Sequence, residues 1–174
     1  MAEEKKEEFF EGENCSYTIN EKNEKCLRMI NPIAEMEGFS GEKILKGNDI
    51  QVLPAGCLYA SLFKNNKLKL PVCVRELKDN SFWCSGIEHL IVPHECVVLR
   101  KHNGEEYVLG DENQKEASLV IEEGVSFQDL RTITCAPKVA KSLEKFGLEN
   151  LCNFACVGLL KEIKTIAEDN REAE

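Results

Sequence analysis

The sequence has little of what secreted, membrane-spanning and nucleic-acid-binding proteins need. Its first residues are rich in glutamate and lack the apolar segment of a signal peptide. No apolar run approaches the roughly 20 residues that a helix needs to cross a bilayer. Lysine and arginine form no stripe that would neutralise a phosphate backbone. We therefore expect a cytoplasmic protein that binds neither membranes nor nucleic acids.

Internal repeats and low-complexity linkers are also absent. A chain of 174 residues, 43% of them hydrophobic, is typical of one domain. The net charge of −9 comes from 31 acidic and 22 basic residues, and much of the acid lies at the two ends. Because such runs repel themselves and bury little apolar surface, we predict acidic disordered tails at 1–24 and 169–174. A single domain is predicted at 25–168.

Cysteine, in contrast, is plentiful, with nine residues. A protein that is not secreted keeps its thiols reduced, so we predict no disulfide framework. Most of the cysteines lie in apolar surroundings, such as Cys73 between Val72 and Val74. In such places a thiol acts as a small hydrophobic side chain.

Hydrophobic alternation predicts a sheet in the middle of the chain. Residues 90–100 and 105–110 read as a strand pair, and Asn103–Gly104 between them is a strong hairpin signal. Residues 68–77 also have a strand pattern, and 119–121 extend the predicted sheet.

Helical patterns flank this sheet. We predict a short helix within 27–37 and favour a helix at 56–66, where alternation leaves a strand as the alternative. Further helices are predicted from Ser126 and from Pro137 onward, the last one amphipathic over 152–166. The predicted fold class is α+β, an antiparallel sheet with an N-terminal helix region and C-terminal helices packed on it.

A cluster of thiols and imidazoles raises the question of a metal site. Zinc prefers these ligands, and Cys84, His89, His94 and Cys96 follow one another closely. Structural zinc sites usually contain a close pair of the CxxC type, which this cluster lacks. We therefore predict neither a metal nor a cofactor.

A second set of residues is typical of a cysteine nucleophile. A thiol at a helix start needs an adjacent histidine as base and an acid that orients this base. Cys57, His94 and Asp111 occur in this order, and the predicted hairpin brings the last two close together.

The stretches that carry these residues are GCLYASLF, LPVCVREL and HECVVLRKHNGEEYVLGD. They resemble the core of the transglutaminase-like superfamily and, more distantly, papain-like enzymes, over roughly residues 50–113. The resemblance implies a catalytic Cys57, a base His94, an orienting Asp111 and an oxyanion donor Gln51. The motifs depart from the family pattern after His94, where Glu95–Cys96 replaces an aromatic residue, and after Asp111, where Glu112 follows.

Two functional hypotheses follow. The first is a cysteine-nucleophile acyl-transfer enzyme, or a degenerate relative, acting on a peptide, isopeptide or glutamine amide. The second is a non-enzymatic module that binds another protein through its sheet or its C-terminal helix. Trp83 is predicted to be in the core or partly buried, and Phe9–Phe10 is either a short binding motif or an accidental pair.

Overall fold

The computed structural model describes residues 8–31, 40–61, 63–125, 131–136 and 138–139 of the chain. Within these ranges the chain forms one α-helix, α1 (Gly41–Gly47), and two 3-10 helices, Lys64–Asn66 and Glu112–Ala117. The strands of these ranges are β1 (Phe10–Glu11), β2 (Cys15–Ile19), β3 (Lys25–Ile30), β4 (Val52–Leu53), β5 (Lys67–Lys69), β6 (Glu76–Leu77), β7 (His89–Ile91), β8 (Cys96–Arg100), β9 (Glu106–Gly110), β10 (Leu119–Glu122) and β11 (Thr132–Thr134).

The larger sheet has eight strands in the order β1-β2-β3-β4-β6-β10-β8-β9. Its five central strands, from β3 to β8 in this order, are parallel. The outer strands pair antiparallel, β1 and β2 on one side and β9 on the other. The carboxyl ends of β4, β6 and β10 therefore lie side by side along one edge.

The smaller sheet is parallel, in the order β11-β7-β5. Its register places Leu68, Leu90 and Ile133 in one row. All three are buried and belong to the same apolar core as Leu53, Leu77 and Leu109 of the larger sheet, to which α1 adds Ile44 and Leu45. The two sheets and the helix thus share one core.

A row of charged side chains crosses four strands of the larger sheet. Arg100 lies 3.3 Å from Glu76 and 3.0 Å from Glu106, and Lys78 lies 2.9 Å from Glu76 and 3.2 Å from Glu122. Ion pairs near a protein surface contribute about 0–1 kcal/mol each, so the main effect of this row is to favour the observed register of β6, β10, β8 and β9.

The predicted fold class is wrong. Strand accounts for 35% of the structure and helix for 13%, and the large sheet is mainly parallel. Part of the predicted N-terminal helix region is strand β3, because a turn closed between Asn20 and Glu24 pairs it with β2. The helix predicted from Ser126 and the amphipathic helix of the C-terminus lie outside the described residues.

Two predicted strands, 68–77 and 90–100, are each divided between the two sheets. The first separates into β5 and β6, with Pro71 between them, and the second into β7 and β8, with Pro93 between them. Proline has no N–H to donate to a strand ladder. Near each of these prolines the chain leaves the smaller sheet and enters the larger one. The segment 56–66 is neither helix nor strand in its described part but turns followed by a 3-10 helix.

The predicted hairpin is confirmed. Strands β8 and β9 pair antiparallel from Cys96–Gly110 to Arg100–Glu106, and the turn between them contains Asn103–Gly104. Strands β1 and β2, which lie within the predicted N-terminal tail, belong to the larger sheet.

Candidate functional site

Cys57 lies in a turn after β4, not at the start of a helix. Its backbone N–H donates to the carbonyl of Pro54 at 3.3 Å, and only 5% of the residue is exposed. Burial raises the pKa of the Cys57 thiol to about 12. The group is therefore protonated at neutral pH, whereas a nucleophilic cysteine needs a thiolate.

His94 is also buried, and neither of its ring nitrogens has a hydrogen-bond partner among the described residues. Burial lowers the pKa of His94 below its ordinary value, although the nearby backbone of Val74 and Val72 acts in the opposite direction. The imidazole is thus neutral near pH 7. Among the described residues it has no contact that would orient it as a base towards Cys57.

The side chains of Asp111 and Gln51 each accept a hydrogen bond from a backbone N–H. Asp111 follows β9 and lies at the same end of the hairpin as His94, as predicted, but its carboxylate accepts from the N–H of Asn113 at 3.0 Å. The Gln51 side-chain oxygen accepts from the N–H of Lys25 at 3.3 Å, a bond that ties β3 to the segment before β4. The described hydrogen bonds therefore do not assemble Cys57, His94 and Asp111 into a relay.

The thiol and imidazole cluster is dispersed as well. His89 lies in the smaller sheet, where its Nδ1 is 2.7 Å from the hydroxyl of Thr132, while Cys84 is exposed and Cys96 is buried. In the part of the chain that the structure describes, no three such side chains come close enough to hold a metal ion.

A different site lies at the carboxyl ends of the parallel strands. The loops that follow β4, β6 and β10, residues 54–61, 78–86 and 123–125, meet there, and we call them the carboxyl edge. The carbonyl of Asn80 accepts from the N–H of Gly56 at 3.0 Å, and the carbonyl of Cys84 accepts from the N–H of Ala60 at 2.9 Å. The N–H of Asn80 donates to the carbonyl of Gly124 at 3.4 Å. These bonds join the three loops into one platform.

The platform presents two large aromatic side chains to solvent. The rings of Tyr59 and Trp83 stack with their centroids 5.3 Å apart and their planes 26° apart. Tyr59 is 59% exposed and Trp83 is 55% exposed. We call these two residues the aromatic pair. Because tryptophan and tyrosine are normally buried more deeply, such exposure on a fixed platform indicates a binding surface.

Sequence reasoning missed this pair. Residue type alone predicts that Trp83 is in the core or partly buried, whereas it is 55% exposed. The turn-forming residues around it, Asp79–Asn80–Ser81 before and Ser85–Gly86 after, are a signal for an exposed loop. Tyr59 has no comparable signal, because it lies in the segment 56–66, whose hydrophobic spacing favours a helix.

The charge of the carboxyl edge is mainly negative. The Lys78 ammonium is paired with Glu76 and Glu122, while the carboxylate of Asp79 forms no ion pair with the described residues. Glu123 is exposed and accepts from the N–H of His102 at 3.1 Å. The three loops of the carboxyl edge thus contain one cation, Lys78, and two acidic residues, Asp79 and Glu123.

Within the described ranges, no helix has the length and apolar character needed to cross a membrane. Comparison with models of protein families, with curated proteins and with solved structures gave no match. The function is therefore inferred from the side chains of this chain and their surroundings.

Proposed function

We propose that this chain is a non-enzymatic interaction module that binds a peptide segment of another protein at its carboxyl edge. The observation that carries the proposal is the aromatic pair, exposed and stacked on three loops that backbone hydrogen bonds hold together. Tryptophan and tyrosine are the side chains most often found as hot spots of protein interfaces. A rigid platform lowers the entropy lost on binding.

A second group of exposed apolar side chains, on strands β1 to β3, supports the proposal less well. Its two phenylalanines already have partners, since Phe9 lies under the guanidinium of Arg28 and Phe10 stacks on Tyr17. The rings of the aromatic pair stack only on each other among the described residues. Tyr59 and Trp83 are also more exposed, at 59% and 55%, than Phe9 and Phe10, at 46% and 44%.

The proposal is tested by selecting peptides from a random display library against the full chain. Binding of the recovered peptides is then measured by fluorescence anisotropy with wild type, Tyr59→Ala and Trp83→Ala. A hot spot contributes about 2 kcal/mol or more, so each variant is expected to weaken binding by about thirtyfold. Val72→Ala is the matched control, because Val72 is 65% exposed and lies outside the carboxyl edge. Peptides that bind Trp83→Ala as tightly as wild type overturn the proposal.

A further inference from the structure

Other aromatic rings of this chain are covered by cations of the chain itself. The Lys25 ammonium lies 5.1 Å from the ring centre of Tyr17, and the Lys101 ammonium lies 4.9 Å from that of Tyr107. The guanidinium of Arg28 lies 4.0 Å from the ring centre of Phe9. Among the described residues no cation lies over Tyr59 or Trp83, although tryptophan is the ring that attracts cations most strongly.

The charges around the aromatic pair favour a cation from outside. Asp79 lies in the same loop as Trp83 and forms no ion pair with the described residues, and its side chain lies against Gly124 where two loops of the carboxyl edge meet. The whole chain carries a net charge of −9, which attracts basic partners and repels acidic ones at long range. A basic group over Trp83 would be attracted by the ring face, and the negative charge of Asp79 in the same loop would add to this attraction.

We infer that the partner presents an exposed basic peptide segment, with an arginine or lysine side chain over the aromatic pair and near Asp79. This inference rests on the proposed function and names the chemistry of its partner. Arginine suits the site better than lysine, because its planar guanidinium stacks on an aromatic face and is more weakly hydrated than an ammonium.

The test uses short glycine–serine peptides that carry arginine, lysine, citrulline or glutamate at matched positions. Citrulline has nearly the shape of arginine but no charge. Affinity is measured with the full chain by fluorescence anisotropy, and the emission of Trp83, the chain's single tryptophan, reports whether the peptide reaches the aromatic pair. We expect the arginine peptide to bind best, to alter this emission and to bind about tenfold more tightly than the citrulline peptide.

Matched variants distinguish the contribution of the Trp83 ring face to affinity from that of apolar surface alone. They also distinguish the contribution of the Asp79 carboxylate from that of the net charge of the chain. Trp83→Leu keeps an apolar side chain without a ring face, and we expect it to weaken arginine-peptide binding about tenfold, whereas Trp83→Phe weakens it less. Asp79→Asn is expected to weaken the same binding severalfold. Asp111→Asn, which makes the same change of charge at the opposite edge of the parallel strands, is expected to have less than about a twofold effect.

Failure of this inference is distinguishable from failure of the proposed function. Equal binding of arginine and citrulline peptides, or of wild type and Trp83→Leu, overturns the basic partner. If peptides from the display library still need Trp83 but contain no basic residue, the interaction module stands with a different partner. If no peptide depends on Tyr59 or Trp83, both conclusions fail.

Discussion

The thiols of Cys57 and Cys84 lie in neighbouring loops but in opposite surroundings. Cys84 is exposed, whereas Cys57 is buried and its pKa is raised to about 12. Since the thiolate is the reacting species and must reach the reagent, iodoacetamide at neutral pH should label Cys84 at least about tenfold faster than Cys57. Mass spectrometry of peptides from the native protein, sampled over time, measures both rates.

Alkylation in denaturant is the control, because it removes burial and should bring the two rates together. Preferential labelling of Cys57 in the native protein would contradict its surroundings in the structure and would restore the hypothesis of a cysteine nucleophile.

The buried His94 makes stability depend on pH. Its folded pKa lies below the unfolded value of about 6.5, so the unfolded chain binds more protons in this range. The stabilising effect of the neutral imidazole is complete above about pH 6.5 and is lost as the pH falls towards the folded pKa. Urea unfolding of wild type near pH 7 and near pH 5 should therefore show a loss of stability at the lower pH.

The variant His94→Gln removes the titrating group and should reduce this loss. Burial acts to raise the pKa of Glu122, but the N–H of Asp79 and the Lys78 ammonium together lower it below the ordinary 4.5, so this group changes stability only at lower pH. His102→Gln, in the exposed turn of the hairpin, is the matched control for the loss of a histidine. An equal dependence in His94→Gln would show that His94 does not cause it.

Residue types alone identified candidates but not their surroundings. Cys57, His94 and Asp111 have the order of a catalytic set, yet their chemistry depends on burial and on hydrogen bonds that the sequence does not contain. Burial of Cys57 results from packing against distant strands, and exposure of Trp83 results from the turns on either side of it. Only the second has a local signal in the sequence.

At the scale of one element, the β8–β9 hairpin contains two glycines with different roles. Gly104 in its turn has a φ of +87° and nothing near its missing side chain, whereas Gly110 at its end has a φ of +104° and lies against the backbone of Glu95 and Cys96. Gly104→Ala should cost about 1–2 kcal/mol from backbone strain alone. Gly110→Ala adds a clash with the backbone, which should cost about 1–3 kcal/mol more.

Chemical denaturation of the two variants, with unchanged m-values as a check on two-state unfolding, measures this difference. Equal losses of stability would mean that the end of the hairpin adjusts to a side chain and that Gly110 is not packed as described.

Element prediction succeeded where the pairing was local and failed where it was not. The Asn103–Gly104 turn specifies the partners of β8 and β9 within a few residues, so the hairpin could be predicted. The parallel pairs join segments far apart in sequence, for example Cys26 with Val52 and Glu76 with Val120. Strands of two or three residues are also too short to show a period, and no turn signal links their partners.

At the scale of the whole molecule, the sequence predicted a single sheet-containing domain but not its class. The hydrophobic pattern marks many of the strand residues, which is why a sheet could be predicted in the middle of the chain. The chain passes from the smaller sheet to the larger one near Pro71 and near Pro93. In the sequence, each pair of short strands therefore has the pattern of one longer strand. The carboxyl edge could not be predicted, because it exists only once three parallel strands are side by side.

The first strand of the larger sheet lies within the acidic N-terminal segment that is predicted as a tail, so removing this segment should lower the melting temperature. Strand β1 pairs Phe10 with Tyr17, the two rings stack at 5.7 Å, and Phe9 lies under Arg28. Deletion of residues 1–12 removes the strand, the stack and the cation–π contact, which together contribute about 2 kcal/mol. For a chain of this length the melting temperature should fall by about 4–8 °C.

Deletion of residues 1–7 is the matched control, because it removes five of the seven charged side chains of residues 1–12 but leaves Phe9 and Phe10. The glutamates and lysines of residues 1–7 have little apolar surface to bury, so the melting temperature should stay within about a degree or two of wild type. Phe10→Ala in the full chain then distinguishes the contribution of the Phe10 side chain from that of the β1 backbone. It removes the stack with Tyr17 and retains the backbone pairing of β1. If both deletions melt like wild type, β1 does not stabilise the sheet, and the folded domain begins at β2.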